Sequence, residues 1–167
     1  MDSLDKDKAF VDLIERNKGI IYKVANSYCT DTEERKDLVQ EMIIQLWRSF
    51  ANYDSQYKIS TWMYRIALNV AISYYRKERK TPSSPITSTI INIPAGEEQS
   101  EREENIKWLY HFINELDELN RALMLLYLDD SSYKEMAEVL GISETNVATK
   151  IGRIKKKLKQ QFSLINE

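Results

Sequence analysis

The sequence has one cysteine, Cys29, and one histidine, His111. A single cysteine excludes an internal disulfide framework and a Cys-based zinc cluster. A single histidine leaves no His pair for a metal. Only 4 glycines and 3 prolines are present, which excludes collagen-like and low-complexity chains. Long apolar runs are missing too. The longest, Ala122–Leu128, falls far short of the roughly 20 residues a membrane helix needs. The opening residues MDSLDKDKAF mix Asp with Lys and lack the basic-then-apolar order of a signal peptide. The expectation is a cytoplasmic protein in a reducing compartment, without direct membrane insertion.

What is present favours helices. The 167 residues are 43% hydrophobic and 30% charged, enough to bury the core of one ordinary domain or two small ones. Helical periodicity runs near residues 6–28, 33–51 and 60–79, then near 100–115, 118–128, 132–140 and 144–161. No stretch shows sustained strand alternation between hairpin turns. The fold class expected is all-α. Between the two sets lies Thr81–Gly96, TPSSPITSTIINIPAG, which has no charged residue and holds every proline. It reads as a linker, although ITSTIINI could also pair as a short strand. Fully extended, it spans about 50 Å at roughly 3.3 Å per residue. The organisation expected is a helical domain over 1–80, a flexible linker over 81–99 and a second helical domain over 100–167.

Charge is zoned along the chain. Residues 1–57 carry 8 basic and 11 acidic side chains, and residues 58–80 carry 6 and 1. Residues 81–130 carry 3 and 10, and residues 131–167 carry 7 and 4. Two basic zones around an acidic middle suit a polyanion gripped at two places.

The sharpest local pattern is SYKEMAEVLGISETNVATKIGRIKKKL, Ser132–Leu158. Ser132 and Glu135 have capping-box spacing. Gly141 suits the left-handed residue after a helix end, Ile142 can fill the corner, and Ser143 is a candidate N-cap. On the next helix Val147, Ile151, Ile154 and Leu158 fall within an arc of about 60°. The opposite face presents Thr145, Asn146, Thr149, Arg153 and Lys156, with Ser143 at its start and Lys150 on its flank. Hydroxyl, amide and cationic groups of this kind match base edges and phosphates in a major groove. The pattern is a helix-turn-helix.

In the first half, DLVQEMIIQLWRSF gives a helix whose core side carries Leu38, Val39, Met42, Leu46 and Phe50. Its other side mixes Asp37, Gln40, Glu41, Ile44 and Arg48 with Trp47. Exposed Ile and Trp among polar groups suit a protein-binding face; packing of Trp47 on a neighbouring helix is the competing expectation. The following helix lines up Arg65, Asn69, Arg76 and Lys80 with Trp62 at one end, and tyrosines 64, 74 and 75 on other faces. Cations beside aromatic rings suit unpaired nucleic acid, whose bases need a ring to replace lost stacking. The loop before it, NYDSQYK, supplies Asn52, Tyr53, Asp54, Ser55 and Lys58, groups able to hold a base swung out of the stack.

DLVQEMIIQLWR followed by KISTWMYRIALNVAISYYRKERK resembles the second conserved region of bacterial RNA polymerase sigma factors. YKEMAEVLGISETNVATKIGRIKKKL resembles their fourth region. With both regions, a short linker and little else, the chain is similar to the compact extracytoplasmic-function (ECF) group. The resemblance implies a core-polymerase contact through Asp37, Gln40, Glu41, Ile44 and Trp47. It implies capture of the opened minus-ten element by Asn52, Tyr53, Asp54, Ser55, Lys58, Trp62, Arg65, Asn69 and Arg76. It also implies reading of the minus-thirty-five duplex by Ser143, Thr145, Asn146, Thr149, Lys150, Arg153 and Lys156. The partners implied are core RNA polymerase and promoter DNA, both duplex and melted, with an anti-sigma factor as a further candidate. Relatives usually carry a small–Thr–Val–Lys–Ser–Arg pattern where this recognition helix reads SETNVATKIGR.

Two other readings compete. A stand-alone helix-turn-helix regulator would not need the Asp37–Trp47 face. An enzyme would need carboxylates that converge only in three dimensions, since no glycine-rich nucleotide loop, metal constellation or nucleophile–base pair is visible in the sequence. The favoured expectation is a specificity subunit without a cofactor or catalysis of its own.

Overall fold

The computed structural model describes residues 2–80 and 100–166. The linker expected over 81–99, including the strand alternative within it, lies outside these residues. Among the described residues all regular elements are helices: α1 (Ser3–Tyr28), α2 (Thr32–Phe50), α3 (Ile59–Lys80), α4 (Glu101–Asn114), α5 (Glu118–Leu128), α6 (Tyr133–Leu140) and α7 (Glu144–Ile165). The chain divides into two compact units, one centred on α1–α3 and the other on α4–α7.

In the first unit, α1 and α2 form a helical hairpin whose corner is held by side chains. Asp31 caps α2, its Oδ1 accepting from the amides of Glu33 and Glu34 at 3.0 and 2.9 Å. Glu33 and Glu34 then place negative charge at the positive end of the helix. Arg35 reaches back and donates to the carbonyls of Cys29 and Thr30, at 3.2 and 3.1 Å. These bonds satisfy polar groups that the end of α1 leaves without helical partners. The core takes Ile21, Val24 and Ala25 from α1, Leu38, Met42 and Leu46 from α2, and Met63, Ala67 and Leu68 from α3. Leu38, Val39, Met42 and Leu46 are buried as their periodicity predicts, while Phe50 is only half-buried.

Behind the corner, Tyr74 of α3 donates to Glu34 Oε2 at 2.7 Å. Its single proton is thereby committed to the carboxylate, while the Cys29 thiol, with Sγ 3.7 Å from the Tyr74 oxygen, donates to the carbonyl of Asp31 at 3.5 Å. Burial pushes both the Cys29 thiol and the Tyr74 phenol up, holding each in its neutral form.

In the second unit, Ser100, Asp117 and Ser143 cap α4, α5 and α7 by accepting from backbone amides at 3.3, 2.9 and 3.1 Å. Ser132 accepts from the amide of Glu135 at 3.1 Å, the bond its capping-box spacing predicts. Gly141 is left-handed at φ 68°, and the amide of Ile142 bonds back to the carbonyl of Ala137 at 3.2 Å. That return bond is the Schellman closure that ends α6 and aims α7. Val147, Ile151, Ile154 and Leu158 are buried, as the stripe requires. Two features depart from the sequence expectation. Helix α7 runs four residues beyond 161, because Phe162 packs edge-on against Phe112 at 5.3 Å. Arg121, beside the apolar run, is buried at 5% exposure. It donates to the carbonyls of Asn114 and Leu116, at 2.6 and 3.0 Å, around the end of α4.

Candidate polymerase and nucleic-acid interfaces

Helix α2 turns its predicted partner face outward. Asp37, Gln40 and Glu41 are exposed, and Ile44 and Trp47 keep 43% and 38% of their surfaces open. The packing expected as the alternative for Trp47 is present, but it does not close off the ring. Its ring meets Phe10 of α1 edge-on at 5.0 Å, yet more than a third of it faces outward. Asp37 and Glu41 also border a groove between α2 and α3, which Asn69 lines from the other side. The acidic end of the partner face and one residue of the predicted strand-binding stripe thus share one surface.

The loop over 51–58 is a built turn. The Tyr53 hydroxyl donates to the carbonyl of Tyr57 at 2.7 Å, and Asp54 Oδ1 accepts from the amide of Gln56 at 2.9 Å. Tyr53 packs on Trp62 at 5.0 Å, tying the loop to the start of α3. Asn52, Ser55 and Lys58 remain exposed, as do Arg65, Asn69 and Arg76 along α3. The tyrosine-rich expectation for α3 narrows here. Tyr64 lies in the core at 2% exposure, Tyr74 is engaged with Glu34, and Tyr75 meets Tyr28 edge-on at 6.2 Å. The rings left at the cationic surface are Trp62, Tyr53 and the half-exposed Tyr57.

On α7, Thr145, Asn146, Thr149, Arg153 and Lys156 are exposed together on the outer face. Ser143 faces the same end and its oxygen holds the cap. Lys150, on the flank, is half-buried. The Thr149 hydroxyl donates to the carbonyl of Thr145 at 3.0 Å. Lys155 belongs to a different surface: its ammonium stands 4.3 Å from the centre of the Tyr127 ring, and this partner raises its pKa. Lys155 thus keeps its charge but directs it towards Tyr127, while Lys156, Lys157 and Lys159 are exposed beside it.

A family model of Sigma-70 region 2 matches residues 13–81, and one of Sigma-70 region 4 matches residues 106–158. The RNA polymerase sigma factor SigZ of Bacillus subtilis strain 168 is 31% identical over 126 residues, 74% of this chain and 70% of SigZ. The chain belongs to the RNA polymerase sigma factors of the ECF group. The ECF sigma factors SigM and SigW of the same organism are 28% and 29% identical. SigM is matched over 86% of this chain and 88% of its own length, SigW over 95% and 90%. Among solved structures, the sigma factor RpoE in complex with the anti-sigma factor NepR, from Bartonella quintana, shares the fold. Its TM-score is 0.70 at 18% identity, over 95% of this chain and 97% of that one.

A sigma factor binds core polymerase and directs promoter-specific initiation; it is a transcription initiation factor and not a catalyst. The region 2 match spans the whole Asp37–Trp47 face, so the stand-alone regulator is not favoured. No helix among the described residues is long and apolar enough to cross a membrane. Two groups around this sigma factor's candidate sites were not visible to periodicity. Phe10 and Lys6 against Trp47, and Tyr53 against Trp62, are pairs between different elements, with no local spacing to announce them.

Proposed function

We propose that this ECF sigma factor docks core RNA polymerase through Asp37, Gln40, Glu41, Ile44 and Trp47. The turn of Asn52, Tyr53, Asp54, Ser55 and Lys58, with Trp62, Arg65, Asn69 and Arg76, holds the melted minus-ten strand. The outer face of α7, from Ser143 through Thr145, Asn146, Thr149, Lys150, Arg153 and Lys156, reads the minus-thirty-five duplex. In this reading residues 1–80 and 100–167 are separate functional domains joined by 81–99, and the protein acts in the cytoplasm without chemistry of its own. The observation that carries it is the exposure of Ile44 and Trp47 among carboxylates on α2, next to a cationic surface with aromatic rings on α3. A bulky apolar pair kept in water beside charge suits a protein partner. An anti-sigma factor is a further proposed partner, on the precedent of the RpoE–NepR complex.

The test is run-off transcription by purified core polymerase with and without this protein, over a library of promoters. Initiation that depends on the protein supports the reading; none at any promoter, with no binding to core enzyme, refutes it. Reversing charge with Asp37→Lys and Glu41→Lys tests the face itself. Both sites are exposed, so the fold is expected to persist while core binding in a pull-down drops by about tenfold or more, as like charge replaces a complementary pair. Unchanged capture removes these two residues from the interface.

A further inference from the structure

The first turns of α1 lie outside the matched region 2, which begins at residue 13, while the helix itself begins at Ser3. Yet these turns supply both groups that fix the Trp47 ring. Lys6 places its Nζ 5.4 Å from the ring centre, and Phe10 meets the ring edge-on at 5.0 Å. Phe10 is itself buried at 7% exposure and also touches Phe50, with ring centres 5.4 Å apart. An indole on an outer helix face would otherwise sample several rotamers. An edge-on aromatic contact and a cation over the ring are both directional, so together they select one orientation.

We infer that Lys6 and Phe10 are positioning residues for polymerase docking: they hold the Trp47 indole, before the encounter, in the orientation in which it enters the partner surface. The inference rests on the assignment of Asp37–Trp47 as the docking face. Its physical content is preorganisation. A side chain already ordered in its bound rotamer spares an entropy cost on binding that corresponds to about 2- to 10-fold in affinity. Neither residue needs to touch the polymerase for this effect.

The experiment measures the affinity of the full-length protein for core RNA polymerase in single and paired variants. Lys6→Gln removes the cation from a partly exposed site and is expected to weaken binding about 2- to 5-fold. Lys6→Arg, which retains a cation, restores it. Phe10→Leu keeps a buried apolar group of similar bulk and is expected to weaken binding about 2- to 10-fold. Both losses should vanish in a Trp47→Ala background, because the two residues act through that ring. Direct contact or general destabilisation would leave them in place.

If Trp47→Ala weakens docking while Lys6→Gln and Phe10→Leu do not, or if their losses persist without the indole, positioning is refuted and the docking face survives. If Trp47→Ala leaves affinity unchanged, Trp47 is not in the interface and the inference falls with it. Asp37→Lys then reports separately on the rest of the face.

Discussion

At the scale of single residues, Ser143 has two duties. Its hydroxyl accepts the amide of Asn146 and starts α7, and it stands at the end of that helix proposed to enter the groove. Ser143→Ala should cost about 1 kcal/mol, the usual worth of an N-cap. For a unit of this size that is a fall of roughly 4–8 °C in melting temperature. Calorimetry or a far-ultraviolet melt checks it, and Ser143→Asp should recover most of the loss. The cap was legible because Ser143 follows a glycine turn and precedes a periodic run. The burial of Arg121 was not, since its partners are the carbonyls of Asn114 and Leu116 around a helix end. A sequence window sees only a charge beside an apolar run.

At the scale of elements, the residue that ends α1 meets α2 and α3 in the Cys29–Tyr74–Glu34 chain of contacts. Tyr74 is 45 residues from Cys29, so the sequence disclosed the cysteine only through what a lone thiol excludes. The chain carries a pH signature. Both the thiol and the phenol have pKa values raised in the folded state, so between each ordinary and raised value the native state binds the extra proton. Their contribution is complete below the unfolded values, 9.0 for the thiol and 10.0 for the phenol, and is lost as pH rises above them. Denaturant titrations from pH 7 to 10.5 should show falling stability, and the slope should flatten in Cys29→Ala and Tyr74→Phe. A slope unchanged in both variants would mean that other groups set it. Most helix ends were legible to within a residue, because the helices keep apolar stripes, although α1 begins at Ser3 and not near residue 6. The four added residues of α7 depended on Phe112, which belongs to another helix.

For the whole molecule, a net charge of −2 conceals two cationic zones, and the nucleic-acid reading rests on those zones and not on the total. Phosphate contacts release counterions, so promoter affinity of the holoenzyme should fall steeply with salt. Arg153→Ala should weaken binding to all sequences alike and reduce the slope of log affinity against log salt by about one. A slope that stays the same assigns Arg153 to something other than a phosphate. This level was the easiest to read from sequence, since two recognisable segments in order constrain each other. The hardest feature was the contact of α1 with Trp47, which joins a helix start to a helix end and leaves no mark on composition or period.

The bond from the Thr149 hydroxyl to the carbonyl of Thr145 also limits the vocabulary of the proposed recognition helix. With its hydrogen turned inward, Thr149 shows the outside world only lone pairs and a methyl group. In the proposed duplex contact it can welcome the amino group of adenine or cytosine, or lie against the methyl of thymine, while the major-groove edge of guanine, which offers only acceptors, finds no donor there.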